Sequence, residues 1–340
     1  MLAEPSPDDL ARIPELLAAI PSVRNRRLVE ELILTAIGLG DDDAETLNLK
    51  IAAAALKEMR EAFEMFQPYA GRPKVAVFGS ARTGPDDPLY AQARTIAAQL
   101  SELGWMVITG AGPGIMQAAM EGAGREHSIG VSIRLPFEQA ANPIIAGDTK
   151  YVSMKYFFTR KLMLIKEAQA FVCLPGGFGT LDETLELLTL TQTGKGLPVP
   201  IVLLDTPGDP YWESVAALIH DQLVSRGLVA APDEHLYLVT ESCEAAVEEI
   251  QRFYRNYHSL RYVGERLVLR VHRAPDEAQL AELNARFGHL CKTGTITASG
   301  PLSIEAREHD VPDLPRIALH FANRGFGDLR AMIDLLNSYG

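Results

Sequence analysis

From Lys74 to Thr240 the chain alternates short apolar runs with stretches of helix formers. The runs are "KVAVFGS", "WMVITG", "SIGVSIRL", "AFVCL", "PVPIVLLD" and "LYLVT". Between them lie "PLYAQARTIAAQLSELG", "GPGIMQAAMEGAGRE", "KYFFTRKLMLIKEA", "TLDETLELLTLTQTG" and "YWESVAALIHDQLVSRG", each with helical apolar spacing. Parallel strands cannot be joined by tight hairpins and need crossovers, so this order predicts an α/β domain: a doubly wound parallel sheet with helices on both faces. Such sheets bind ligands beyond the carboxyl ends of their strands, where the strand order reverses.

The flanks read differently. Residues 1–70 contain "PELLAAI", "RRLVEELILTAIGL" and "AETLNLKIAAAALKEMREAFEMF", which predict an N-terminal helical arm, and "QPYAGRP" at 67–73 breaks the pattern. After the helix "CEAAVEEIQRFYRNY", residues 259–340 predict a small α+β domain of ferredoxin-like or ACT-like character. The expected division is therefore 1–70, 71–258 and 259–340.

Composition narrows the function. A net charge of −12 over 340 residues disfavours nucleic-acid binding. It still permits a small phosphate to be held by backbone N–H groups and a few arginines. Cys173, Cys243 and Cys291 have no metal-ligand or disulfide spacing. The N-terminus lacks the features of a signal peptide, and no apolar run reaches the ~18 residues of a membrane span. A cytoplasmic protein with no metal and no cofactor is expected.

Three strands end in small residues: Gly79-Ser80-Ala81-Arg82, Gly110-Ala111-Gly112-Pro113-Gly114 and Pro175-Gly176-Gly177-Phe178-Gly179-Thr180. A tight strand-to-helix turn also needs glycine, so one loop alone says little. Three on one sheet edge favour a nucleotide or sugar-phosphate site. The G-x-G-x-x-G fingerprint and the phosphate loop of NTPases are both absent. Arg160, in "YFFTRK", lies among Phe157, Phe158, Leu162 and Met163; its planar fork suits phosphate or carboxylate. Thr180 and Glu183 have the T-x-x-E spacing of a helix capping box, which leaves a purely structural reading of Glu183 open.

"TRK" followed by "PGGFGTLDE", with "VAVFGSAR" and "GAGPGIMQAAMEGA" upstream, resembles the LONELY GUY family of nucleoside 5′-monophosphate phosphoribohydrolases, known for cytokinin activation. The resemblance covers roughly 74–245. It implies a Rossmann-like fold, a homodimer or larger homo-oligomer with sites near the subunit interface, and catalytic roles for Arg160 and Glu183. On this reading the substrate is an AMP-like nucleoside monophosphate, cytokinin nucleotides included, cleaved to free base and ribose 5-phosphate. Glu183 would stabilise a ribosyl cation and help water attack C1. Gly176, Gly177, Gly179 and Thr180 would hold the phosphate, with Gly112 and Gly114 opposite. Ser80 and Arg82 would stand at the rim, with Lys161 beside Arg160 as a further substrate-binding residue. Asp182 is a second candidate acid, and Met154 and Phe158 would either meet the base or pack in the core. The family often carries a lysine decarboxylase label, but none of the three loops contains a lysine for pyridoxal phosphate. The alternative function is a regulatory protein that binds a nucleotide without cleaving it.

Overall fold

The computed structural model of the chain describes residues 25–134 and 141–340. It divides into two units, Met1–Glu61 and Ala62–Gly340. In the first unit, α1 spans Arg26–Asp41 and α2, Thr46–Phe66, begins. The helix expected at "PELLAAI" lies outside the described residues.

The second unit holds two sheets. The first has seven parallel strands in the order β4-β3-β2-β1-β5-β6-β7. They are β1 (Lys74–Phe78), β2 (Met106–Thr109), β3 (Ser128–Ile133), β4 (Tyr151–Met154), β5 (Ala170–Cys173), β6 (Ile201–Leu204) and β7 (Leu238–Thr240). The intervening helices are α3 (Pro88–Glu102), α4 (Ile115–His127), α5 (Phe157–Glu167), α6 (Phe178–Gln192), α7 (Tyr211–Leu218) and α8 (Cys243–Phe253). This is a Rossmann-like, doubly wound sheet whose order reverses between β1 and β5. Every residue of β1, β2, β5 and β6 is buried, as a strand covered on both faces requires. Helices α3, α4 and α8 pack over Val75, Val77, Val107 and Val172. On the opposite face Phe78 stacks on Phe171 with ring centroids 6.0 Å apart. Helix α3 starts where its sequence dictates: Asp87 accepts the Leu89 N–H at 2.9 Å and Pro88 occupies the first turn.

The sheet contains one strand, β4, that the apolar pattern does not reveal. "YVSM" is four residues long at the sheet edge, and Tyr151 and Ser153 face partly outward, so it lacks the apolar run of a central strand.

The second sheet is antiparallel, ordered β10-β11-β9-β8. Its strands are β8 (Tyr257–Val263), β9 (Arg266–Val271), β10 (Cys291–Ser299) and β11 (Arg316–Phe321), with α9 (Glu277–Phe287), α10 (Ser303–Glu308) and α11 (Phe326–Ser338). From β9 onward the chain follows the ferredoxin-like path, but the fourth strand is supplied in front, by β8. Sequence reading misses β8 because "YHSLRYV" is mostly polar and continues directly from a helix.

The end of α6 meets the start of α11 and the segment that precedes β7. A Cβ on Gly194 would lie 2.0 Å from Cζ of Phe326, and Gln192 Nε2 donates to Asp233 at 2.7 Å. Helix α6 is therefore held at its far end, while its first turns face the site described next.

Candidate functional site

The carboxyl ends of β1, β2 and β5 converge on a cavity of about 980 Å³. Hydrogen bonds stitch the three loops together. The Ser80 N–H donates to the Pro175 carbonyl at 3.2 Å, and the Ser80 carbonyl accepts the Ile115 N–H at 3.0 Å. The glycines then divide into two kinds. At Gly114 a Cβ would stand 2.3 Å from the Ser80 carbonyl oxygen, and at Gly176 it would stand 2.1 Å from Thr180 Oγ1. The space is taken at Gly114 by the loop after β1 and at Gly176 by the first turn of α6. At Gly177 and Gly179 a Cβ would meet nothing within 4 Å, and both line the cavity. There the backbone is bare toward whatever enters.

Gly177 is the N-cap residue of α6, with no side-chain cap. The first N–H groups of a helix have no intrahelical partner, so this end of α6 presents donors and the positive end of its dipole. Since the helix begins at Phe178, Glu183 lies beyond its first turn, and Thr180 and Glu183 do not form the capping box that their spacing allows.

Glu183 turns instead to Arg160. The guanidinium donates from Nη1 to Glu183 Oε1 at 3.0 Å and from Nε to the Val131 carbonyl at 3.1 Å. Arg160 is only 9% exposed, lying across the end of β2, where a Cβ on Gly110 would come within 2.5 Å of its Nη2. Burial pushes the Glu183 pKa up, and the positive charges of Arg160 and Lys161 oppose that rise without cancelling it. The result is a carboxylate in a mostly dehydrated wall, anchored on one side and facing the cavity.

Of the residues expected at the site, Ser80, Arg82, Gly112, Arg160, Gly176, Gly177, Gly179, Thr180 and Glu183 line the cavity. Gly114 and Lys161 are not among the lining residues. Gly114 is consumed by the packing against Ser80. Lys161 turns away to bridge Asp182 at 2.7 Å and Glu186 at 2.8 Å, and these bonds raise its pKa although burial works against the charge. Asp182 is thus tied to a lysine on the outer side of α6. Met154 is wholly buried outside the lining, whereas Phe158 is half exposed and stacks on Tyr156. Cys173, directly beneath the loop, stays a thiol: burial pushes its pKa up to about 12.

The cavity also collects residues that sequence reading passed over. Tyr151 and Ser132 share a hydrogen bond of 2.8 Å in its wall, and Tyr211 reaches in from the start of α7. None belongs to a glycine-rich loop, and Tyr151 stands on the strand whose pattern is silent. Among the described residues no group of three or more His, Cys, Asp or Glu side chains could hold a metal, and no helix is long and apolar enough to cross a membrane.

Comparison with known proteins finds relatives of the seven-stranded domain. A family model described as "Possible lysine decarboxylase" matches residues 114–250. A probable cytokinin riboside 5′-monophosphate phosphoribohydrolase of Oryza sativa subsp. japonica, LOGL5, is 28% identical over 186 residues, covering 53% of this chain and 72% of the relative. Its counterpart LOG1 of Arabidopsis thaliana is 30% identical over 140 residues, or 41% of this chain and 62% of the relative. Among solved structures, TM1055 (23% identity, TM-score 0.39) covers 53% of this chain and 99% of its own. The molybdenum cofactor carrier protein of Chlamydomonas reinhardtii (22% identity, TM-score 0.36) covers 53% and 98%. The seven-stranded domain of this chain, with its paired Arg160-Lys161 and Pro175-to-Glu183 motifs, is similar to the LONELY GUY family.

Proposed function

We propose that the protein hydrolyses the N-glycosidic bond of an AMP-like nucleoside 5′-monophosphate, releasing free base and ribose 5-phosphate. The observation that carries this reading is the Arg160–Glu183 pair, set in one wall of a cavity whose floor is three glycine-rich strand ends. The 5′-phosphate would rest on the bare backbone of Gly177 and Gly179 at the start of α6. That places the ribose toward Glu183. As the C1′–N bond breaks, its electron pair leaves with the base, which takes up a proton from solvent, and positive charge develops on the ribosyl ring. The Glu183 carboxylate stabilises that charge and accepts a proton from the water that adds to C1′. Arg160 fixes the carboxylate, and its charge opposes the rise in pKa that burial imposes.

The decarboxylase description of the family model fits these residues poorly. Schiff-base chemistry wants a lysine of lowered pKa inside the site. Lys161 has a raised one and two carboxylate partners, and among the described residues no lysine lines the cavity.

We also propose that residues 71–258 form the catalytic part and that a second copy of the chain covers the face beside the cavity. Phe157, Phe158, Leu162 and Phe178 all stand exposed there, Phe178 at 92%, which is a large apolar surface to leave in water.

The test is to incubate the protein with AMP and with adenosine and to assay free adenine and ribose 5-phosphate. AMP should be cleaved and adenosine scarcely touched, because binding at the remote phosphate positions the ribose. Equal kcat/KM for the two would remove the phosphate cradle from the mechanism. AMP binding with no release of base would return the protein to the regulatory, binding-only alternative.

A further inference from the structure

Tyr211 is the first residue of α7 and lines the cavity beside the glycine-rich turn after β5. Its hydroxyl donates to the Gly176 carbonyl at 2.7 Å. The ring is fixed edge-on against Trp212, with centroids 4.9 Å apart and an interplanar angle of 88°, and Trp212 is fully buried. The start of α7 is itself anchored. Asp205 Oδ2 accepts the Trp212 N–H at 2.8 Å and Asp209 Oδ1 accepts the Tyr211 N–H at 3.1 Å. Asp205 follows β6, the strand next to β5, and its own N–H bonds the Thr240 carbonyl at 2.9 Å. The hydroxyl is therefore delivered from a rigid neighbour to a turn made of two consecutive glycines. Burial raises the Tyr211 pKa, which keeps the phenol a donor.

A peptide between two glycines can rotate between orientations at little steric cost. In a planar trans peptide the carbonyl of one residue and the N–H of the next point to opposite sides. Fixing the Gly176 carbonyl on Tyr211 thus fixes the Gly177 N–H on the other side, at a residue that lines the cavity with open space around it.

We propose that Tyr211 is a positioning residue for the phosphate cradle: its hydroxyl selects the one orientation of the Gly176–Gly177 peptide that offers an N–H to a bound phosphate. The inference rests on the reading of the cavity as a nucleoside monophosphate site. It also makes α7, an element outside the three glycine-rich loops, part of substrate recognition.

Tyr211→Phe tests it, since the ring and its packing on Trp212 are kept and only the latch is lost. Ribose 5-phosphate binding, measured by calorimetry, and the KM for AMP should weaken together by about tenfold, the scale of one charge-assisted hydrogen bond. The kcat for AMP should stay within about twofold, and any residual adenosine turnover should be unchanged. A merely structural role would instead lower the melting temperature and affect AMP and adenosine alike. An unchanged Kd for ribose 5-phosphate, or a fall in kcat at constant KM, would overturn the proposal. The calorimetric arm also separates it from the catalytic reading. A wild-type protein that binds ribose 5-phosphate without cleaving AMP would sink the hydrolase, yet the latch would still be read from the Kd of the variant. A wild-type protein that binds no ribose 5-phosphate would overturn the latch itself.

Discussion

Each sheet of the larger unit buries an arginine–glutamate arrangement, and the two are opposite in character. At the cavity, Glu183 accepts from one guanidinium, Arg160 Nη1, and its pKa is raised by burial. In the antiparallel sheet, Glu305 of α10 accepts from Arg270 Nε and Nη2 at 3.1 and 2.9 Å, from Arg316 Nε at 3.3 Å and from the Leu302 N–H at 3.1 Å. Burial opposes the charge of Glu305 too, but those bonds outweigh it and its pKa is lowered. Glu305 and Arg316 are both wholly buried, whereas Arg160 and Glu183 keep 10% and 13% of their side chains open toward the cavity. A saturated carboxylate holds structure together and has no lone pair left to act. A carboxylate with a single fixed partner and an open side is costly to keep charged, and that is what a reacting group requires.

The comparison can be broken most decisively at the saturated end. Glu305→Ala leaves Arg270 and Arg316 buried without their shared partner, so stability should fall by about 3–5 kcal/mol. Chemical denaturation would show this, while the surviving folded protein should cleave AMP at the wild-type rate. A loss below about 1 kcal/mol would mean that Asp310, 2.5 Å from Arg270, takes over the role of Glu305.

At the cavity the expected response is inverted. Glu183→Gln should fold normally and still bind AMP, yet lose about 10²-fold or more in kcat, equivalent to about 2.7 kcal/mol of barrier. Wild-type turnover in that variant would take Glu183 out of the mechanism.

Arg160→Lys keeps a positive charge but loses the planar fork that donates to Glu183 and the Val131 carbonyl from two separate nitrogens. A fall of about tenfold or more in kcat/KM, near 1.4 kcal/mol, should accompany a small loss of stability. Steady-state kinetics at saturating and limiting AMP would separate the two parameters.

The smallest effect is the sign of the pH dependence. The Glu183 pKa is raised above its ordinary 4.5, so its contribution to stability is fullest when protonated, below 4.5, and is lost as pH rises through the folded value. The Glu305 pKa lies below 4.5, so its contribution is present above 4.5 and lost as pH falls through the folded value. Wild-type stability relative to Glu183→Gln should therefore decline as pH climbs from 4.5, whereas relative to Glu305→Gln it should improve as pH climbs toward 4.5 and then hold level. Under the proposed mechanism, in which the carboxylate form of Glu183 acts, the acid limb of kcat/KM should lie above 4.5. Matching slopes in the two comparisons would erase the contrast drawn between them.

Much of the first sheet was legible in the chain itself. A buried parallel strand is a short apolar run, and a crossover helix repeats its apolar residues every three or four positions, so β1, β2, β3, β5, β6 and β7 and the helices between them announce themselves locally. Strand ends rich in glycine mark where backbone comes close to something. What comes close is decided elsewhere. Gly114 and Gly177 look alike as letters; one packs on the Ser80 carbonyl and the other borders an open cavity. Lys161 adjoins Arg160 in sequence, yet one turns to Asp182 and Glu186 and the other to Glu183, because neighbouring residues on a helix point about 100° apart. Tyr211 enters the site only because β6 lies beside β5, a fact of strand order that no local pattern records. Glu305 reads as an ordinary acid in "PLSIEAREHD" until the antiparallel sheet sets Arg270 and Arg316 against it. Local periodicity determined the elements and the loops between them. The contacts that give each polar side chain its chemistry were decided by the packing of distant segments, since burial and charge pairing depend on what the whole fold brings within a few ångströms.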